Sequence, residues 1–195
     1  MRKKHHISSR PRRGQSMVEF AISLPFLSML TIGTFALGVV VDRHLTVTQL
    51  VRNAGNMYGR GIDFSQISNQ TVLLQSATGM GMTRTGGNGA LYLSTVVQAT
   101  PGTTKRNTGM AVVSHRIKMG NTGMAVSSVG MPYSIKTNGT VNNYEDDPTA
   151  RATLPSGVTV GPNEKLFMAE VFHDPKELKF GGFFAPSRLY SRAIF

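Results

Sequence analysis

The sequence predicts an α+β protein. A long N-terminal transmembrane and stalk α-helix comes first, and a small β-rich domain on an antiparallel sheet follows it. Three observations predict this. Phe20 to Val41 is a run of 22 residues without Asp, Glu, Lys, Arg or His. Apolar residues then recur at helical spacing as far as about Tyr58. From Ala90 onward the period becomes two, in runs rich in β-branched and aromatic residues.

The apolar run sets the topology. A helix of that length covers roughly 33 Å, against about 30 Å for a bilayer's hydrocarbon core. Arg2, Lys3, Lys4, Arg10, Arg12 and Arg13 precede it, with no acid before Glu19. By the positive-inside rule this charge asymmetry predicts a single-pass chain with a cytoplasmic N-terminus and the remainder outside. The 195 residues leave room beyond the span for one small domain.

Net charge is +11, but six of the 21 basic residues and none of the 10 acidic ones lie in the first 14 positions. The remainder carries +5 without clusters, so the basic tail reads as a topology signal and no nucleic-acid partner is expected. With no cysteine, disulfides, thiolate chemistry and cysteine-based metal sites are excluded. Stability must come from burial and packing.

Glu19 is the residue out of place. Between Val18 and Phe20 at the mouth of the run, it would cost about 2.5–3.5 kcal/mol if carried ionised to the membrane centre. An acid there calls for a partner. A cut after Gly14 would supply one, because Gln15 would then begin the chain with a free amine four residues from Glu19. Two other readings compete. A cleavable secretory signal has a shorter apolar region, although Ala36-Leu37-Gly38 is a passable cleavage site. A plain signal anchor accounts for length and charge but leaves Gly14 and Glu19 without a reason.

Glycine at the cut, glutamate fifth in the mature chain and Phe20 sixth resemble the type IV prepilin processing site. The wording Arg13-Gly-Gln-Ser-Met-Val-Glu-Phe-Ala-Ile-Ser-Leu-Pro-Phe-Leu27 resembles, within that class, the TadE-like minor pilins, or pseudopilins, of tight-adherence pilus systems. The resemblance implies that a prepilin peptidase, an aspartyl protease of the bacterial inner membrane, cuts between Gly14 and Gln15 on the cytoplasmic face. It implies that Glu19 then neutralises the new amine, on its own or a neighbouring subunit, and families of this kind often methylate that amine. The implied partners are the peptidase, other pilins or pseudopilins, the inner-membrane assembly platform and the lipid bilayer. The C-terminal domain would be periplasmic, and incorporation into a cell-surface pilus is left open. Major tight-adherence pilins resemble a short helix with almost no globular part, so a minor or priming pilin is favoured. The expected organisation is a basic leader over 1–14, a transmembrane helix and amphipathic stalk over 15–61, and a β-rich domain over 62–195. The rival is an uncleaved, membrane-anchored periplasmic binding or adhesion module.

Along the chain, Pro25 removes one backbone donor and should kink or loosen the helix. Thr34 and Gly38 are four apart, a spacing that lets membrane helices approach closely, although small residues are common in such helices anyway. Beyond Asp42-Arg43-His44, the residues Leu45, Val47, Leu50, Val51, Ala54 and Met57 share one helical side, with Gly59 and Gly61 as stops. Asp63 or Ser65 is positioned to cap a second helix through about Ala77, with Ile67, Leu73, Leu74 and Ala77 as its apolar residues. Gly79–Gly89 lacks the phosphate-loop and dinucleotide spacings and reads as a flexible connection.

Strands are expected over Leu91–Ala99, Met110–Met119 and Lys165–His173, with a last edge strand within Leu189–Phe195. Asn107–Val112 recurs as Asn121–Val126 and reads as a repeated turn and strand start. Asn138–Pro155 is polar, and its Glu145-Asp146-Asp147 cluster reads as a solvated loop because calcium-loop spacing is absent. A late strand carrying Glu170 and aromatic residues, then an aromatic-Ser-Arg-Ala ending, also resembles the TadE-like order. Residues 62–153 align with nothing recognised.

No catalytic constellation emerges. Glu170 and His173 form one Glu-x-x-His, but in a strand their odd separation puts them on opposite faces. His5, His6, His44, His115 and His173 show no ligand spacing beyond the adjacent pair, and no GxSxG elbow occurs. No enzyme activity, metal, cofactor or small-molecule substrate is expected.

Overall fold

The computed structural model describes residues 13–100, 104–175 and 188–195. The chain divides into two compact units, one ending at Val40 and the other Val41–Phe195. Helix α1 (Arg13–Gly59) runs through Pro25 without a break in its assignment. The elements that follow are α2 (Ile67–Gln75), β1 (Gly89–Gln98), β2 (Ala111–Gly120), a 3-10 turn at Pro148–Ala150, β3 (Lys165–His173) and β4 (Leu189–Ile194). The fold is α+β: an apolar N-terminal helix and a four-stranded antiparallel sheet of order β2-β1-β3-β4. Strand β1 is an inner strand paired on both edges, and apolar and β-branched residues fill both of its faces because each face carries a core. One bulge skips Ser114, so that Thr95 opposes His115 and Val96 opposes Val113.

The second unit has a core on each side of the sheet. On one side Val47, Leu50, Val51, Ala54 and Tyr58, one stripe of α1, pack with Leu91, Leu93, Ile117, Met119, Ala169 and Val171. That stripe follows the i, i+3, i+4, i+7 spacing read from the sequence. Leu45 departs from it and is exposed, while Met57 only lines the margin. On the other side Val96, Val113 and Met168 are covered by Val129, Val141, Ala150 and Val160 from the irregular chain between β2 and β3.

Several local expectations change. Helix α2 starts at Ile67 with Gln66 as an N-cap that makes no side-chain bond, and it ends at Gln75 rather than Ala77. Asp63 instead accepts the Ser65 N–H at 2.8 Å, closing a turn ahead of the helix, and Ile67 is exposed. The glycine-rich stretch is a folded turn, not a loose connection. Met80 and Met82 are buried in the α1-side core, and Met82 bridges Gly87. Gly120 closes β2 at φ +83°, where a Cβ would lie 2.2 Å from the Gly89 carbonyl oxygen; only glycine fits there.

The repeated hexapeptide has two fates. Its first copy turns and enters β2, but Asn121–Val126 turns without starting a strand. The first asparagine explains the difference. Buried Asn107 donates to the Tyr144 and Asp147 carbonyls, both at 2.7 Å, and accepts from Arg151 Nε at 2.8 Å. Those partners lie in the 144–151 chain, and among the described residues Asn121 has no counterpart to them.

Asn138–Pro155 is more than a solvated loop, because Val141 and Ala150 belong to the second core. Its acids have local partners. Asp146 pairs with Lys105 at 2.7 Å, Asp147 accepts the Thr149 N–H at 2.8 Å, and Glu145 accepts from Thr100 at 2.9 Å. The Lys105 ammonium holds the Asp146 carboxyl below its ordinary range.

Tyr58 ties α1 to the sheet through polar atoms as well. Its hydroxyl lies 2.8 Å from Thr95 Oγ1 and 2.7 Å from His115 Nδ1, and His115 Nε2 lies 2.8 Å from the Asn138 carbonyl. The carbonyl can only accept, so Nε2 carries a proton, and in the neutral imidazole Nδ1 then accepts from Tyr58 and Tyr58 accepts from Thr95. Burial pushes the Tyr58 hydroxyl up to about 12. Its folded pKa exceeds the unfolded value near 10, so this contribution is present below pH ~10 and is lost as pH rises towards ~12. Tyr58→Phe should cost about 1–3 kcal/mol at neutral pH by leaving Thr95 and His115 unpaired. It should also flatten the alkaline loss of stability, a combination that thermal melts between pH 7 and 11.5 would register.

Candidate functional site

The candidate site is the first turn of α1 and the apolar helix after it. Gly14 lies in that turn, and among the described residues an added Cβ would meet nothing beyond the helix itself within 4 Å. One turn on, Gln15 Nε2 donates to Glu19 Oε1 at 3.0 Å. Among the described residues no bond is made to Glu19 Oε2, so one carboxylate oxygen stays open to a further donor. Phe20 follows with its side chain exposed.

From there α1 is apolar on all sides, with Ile22, Phe26, Leu30, Phe35 and Leu37 all exposed. The helix is long and apolar enough to cross a membrane, and its most apolar window is wholly unburied, which fits a membrane anchor. Its hydroxyls are satisfied within the helix. Ser23 donates to the Glu19 carbonyl, Thr31 to Leu27 and Thr34 to Leu30, each at 2.8 Å, and Ser28 donates to Pro25 at 2.9 Å. Hydroxyls paired in this way can enter hydrocarbon without that penalty. Among the described residues, nothing beyond the helix itself lies within 4 Å of a Cβ added at Gly33 or Gly38. The basic residues Arg2, Lys3, Lys4, Arg10 and Arg12 lie outside the described residues; Arg13 opens the helix.

Residues 14–55 match the family model of TadE-like proteins. This segment is TadE-like. The match begins at Gly14, contains Glu19 and ends at Gly55, inside the part of α1 that packs on the sheet. Comparison with curated proteins and with solved structures finds no match. The TadE-like segment therefore identifies the anchor and the beginning of the second unit, while most of the sheet domain lies beyond it.

A second polar constellation sits in that domain, on the sheet side away from α1, and sequence reasoning missed its importance. Glu170 on β3 is fully buried. Its Oε2 accepts from Ser127 Oγ; its Oε1 accepts from the Ser128 N–H at 3.0 Å, from Ser128 Oγ, and from Tyr190 OH at 3.0 Å. Arg192 stands opposite it in the β3–β4 register. Arg116, 1% exposed, donates through Nε to Ser94 Oγ at 3.0 Å and through Nη1 to the Gly130 carbonyl.

Burial pulls Arg116 down to about 10, against the opposing pull of Glu170 and the neighbouring tyrosines. Burial likewise raises the Tyr92 and Tyr190 hydroxyls. The network fastens the loop after β2 and the last strand to the sheet. Glu170 and His173 diverge as their spacing required, with His173 Nδ1 3.0 Å from the Asn88 carbonyl. Among the described residues no group of three His, Cys, Asp or Glu is arranged to hold a metal ion.

Proposed function

We propose that the chain is a TadE-like minor pilin, or pseudopilin, that is a substrate of processing rather than a catalyst. A prepilin peptidase cuts between Gly14 and Gln15 at the cytoplasmic face of the inner membrane. The processed helix then takes part in assembling or priming a tight-adherence-type pilus, with sibling pilins and the assembly platform as partners and the sheet domain in the periplasm. One observation carries this reading. The family match begins at Gly14, at the mouth of the one apolar helix, with Glu19 one turn beyond the peptide bond to be cut.

The mechanism follows from electrostatics. Cleavage creates an ammonium on Gln15, and Glu19 has an oxygen open to receive it. Opposite charges in a low dielectric are far more stable paired than apart. A neighbouring subunit's amine fits the same role, which would couple neutralisation to lateral packing.

The test is the N-terminal residue and intact mass of the membrane-extracted chain, with and without a co-expressed cognate peptidase. A peptidase-dependent start at Gln15 supports the reading. A start at Met1 beside an active peptidase favours an uncleaved periplasmic binding or adhesion module. A start near Val39 would make the apolar run a discarded signal. Glu19→Gln is expected to leave membrane insertion within about twofold of wild type, because exchanging an acid for its amide at the mouth makes insertion no harder. Assembly in the same variant should fall about tenfold or more, for want of the charge pair. Wild-type piliation in that variant would count against the pairing.

A further inference from the structure

We propose that Glu19 has a second task, guarding the processed N-terminus against chemical closure. This inference rests on cleavage after Gly14. A chain that begins with glutamine can cyclise. The α-nitrogen attacks the side-chain Cδ, an N–Cδ bond forms, the Cδ–Nε2 bond breaks, and ammonia leaves with a proton from the amine. No oxidant or co-reactant is needed. The product, pyroglutamate, is a neutral lactam, so Glu19 would lose the cation it is there to receive.

The structure shows what opposes this. Gln15 Nε2, on the leaving side of the amide, is held by Glu19 Oε1 at 3.0 Å, one helical turn further along. For attack, the Gln15 side chain must give up that bond and fold back over its own backbone nitrogen. Glu19 Oε2 is left open, so a single carboxylate can hold the amide and receive the ammonium together. Gln15 and Glu19 are exposed and, among the described residues, nothing else holds the Gln15 side chain. The guard is therefore this one bond, strengthened where water is scarce. A Glu19 variant would then fail in assembly for two separable reasons: a missing charge pair, and an amine chemically consumed.

The experiment uses the full-length chain co-expressed with its peptidase, extracted from membranes, and followed by intact mass and N-terminal sequencing during incubation. Cyclisation lowers the mass by one ammonia and blocks sequencing, and a methylated Gln15 is scored with the open form. Wild type should remain open. Glu19→Ala should block about twofold faster, the factor an exposed side-chain hydrogen bond one helical turn apart is worth, and Glu19→Gln, which keeps a neutral acceptor, should fall between. Gln15→Ser combined with Glu19→Ala should stay open. The cleaved wild-type chain, unfolded in guanidinium, should block at least about twofold faster than the same chain in its helical state; this arm needs no variant to be processed.

Equal blocking in the helical and unfolded chains, or a wild type already closed, overturns the guard while leaving the cleavage reading intact. A chain that starts at Met1 overturns both.

Discussion

Gly14→Leu is expected to leave the chain uncut, starting at Met1, while still inserting in the membrane. The structure makes this a clean experiment. Among the described residues, an added Cβ at Gly14 meets nothing beyond the helix itself within 4 Å. The helix itself gains, because glycine in a helix costs roughly 0.5–1 kcal/mol relative to alanine. That gain works against processing, since a peptidase must draw the 14–15 peptide out of the first turn before it can cut. A leucine must also fit where the enzyme accepts hydrogen. Cleavage should fall at least about tenfold, the smallest discrimination usual for one misfitted group. Intact mass of the extracted chain reads it directly, and normal processing of Gly14→Leu would remove the ground for the proposed cut.

The largest effect on stability is expected at Glu170. Glu170→Ala removes the acceptor for Ser127, the Ser128 N–H, Ser128 Oγ and Tyr190 at once, and takes away the largest influence opposing burial at Arg116. Breaking a buried charged network by deleting one partner costs about 3–5 kcal/mol, a large share of the roughly 5–15 kcal/mol that holds a domain together. The variant should melt far below wild type, and the loop after β2 and strand β4 should be the first segments to exchange amide hydrogens. Glu170→Gln keeps the shape, but it places an NH₂ among donors and should fall between the two. Melting followed by circular dichroism on the detergent-extracted full chain checks both, and two variants melting with wild type would show that the network contributes little.

Tyr58 and Glu170 fasten opposite sides of one sheet, and neither role could be read from pattern alone. The α1 stripe was legible because burial on a helix repeats every three or four residues, and Val47, Leu50, Val51 and Ala54 obey that period. The strands were legible as short runs rich in β-branched and aromatic residues, as over residues 91–97 of β1. Leu45 broke the stripe because an apolar residue has no obligation to be inside. Gln15, four residues before Glu19, was visible, but only as an amine-bearing residue; the amide contact needed side-chain geometry.

By itself, the sequence determined what is local and periodic: an uncharged run long enough to cross a bilayer, a basic segment before it, Gly14 and Glu19 at matching positions, and four strands in order. Each follows from spacing along one chain. The tertiary structure alone decided what depends on meeting across distance. It placed β1 at the centre of the sheet, drew residues 129–160 over its second face, and separated two identical hexapeptides by the partners of Asn107. It also buried Glu170 among hydroxyls from a loop that carries no period at all. A buried polar group is stable only where its partners arrive, and their arrival is a property of the folded chain rather than of any stretch within it.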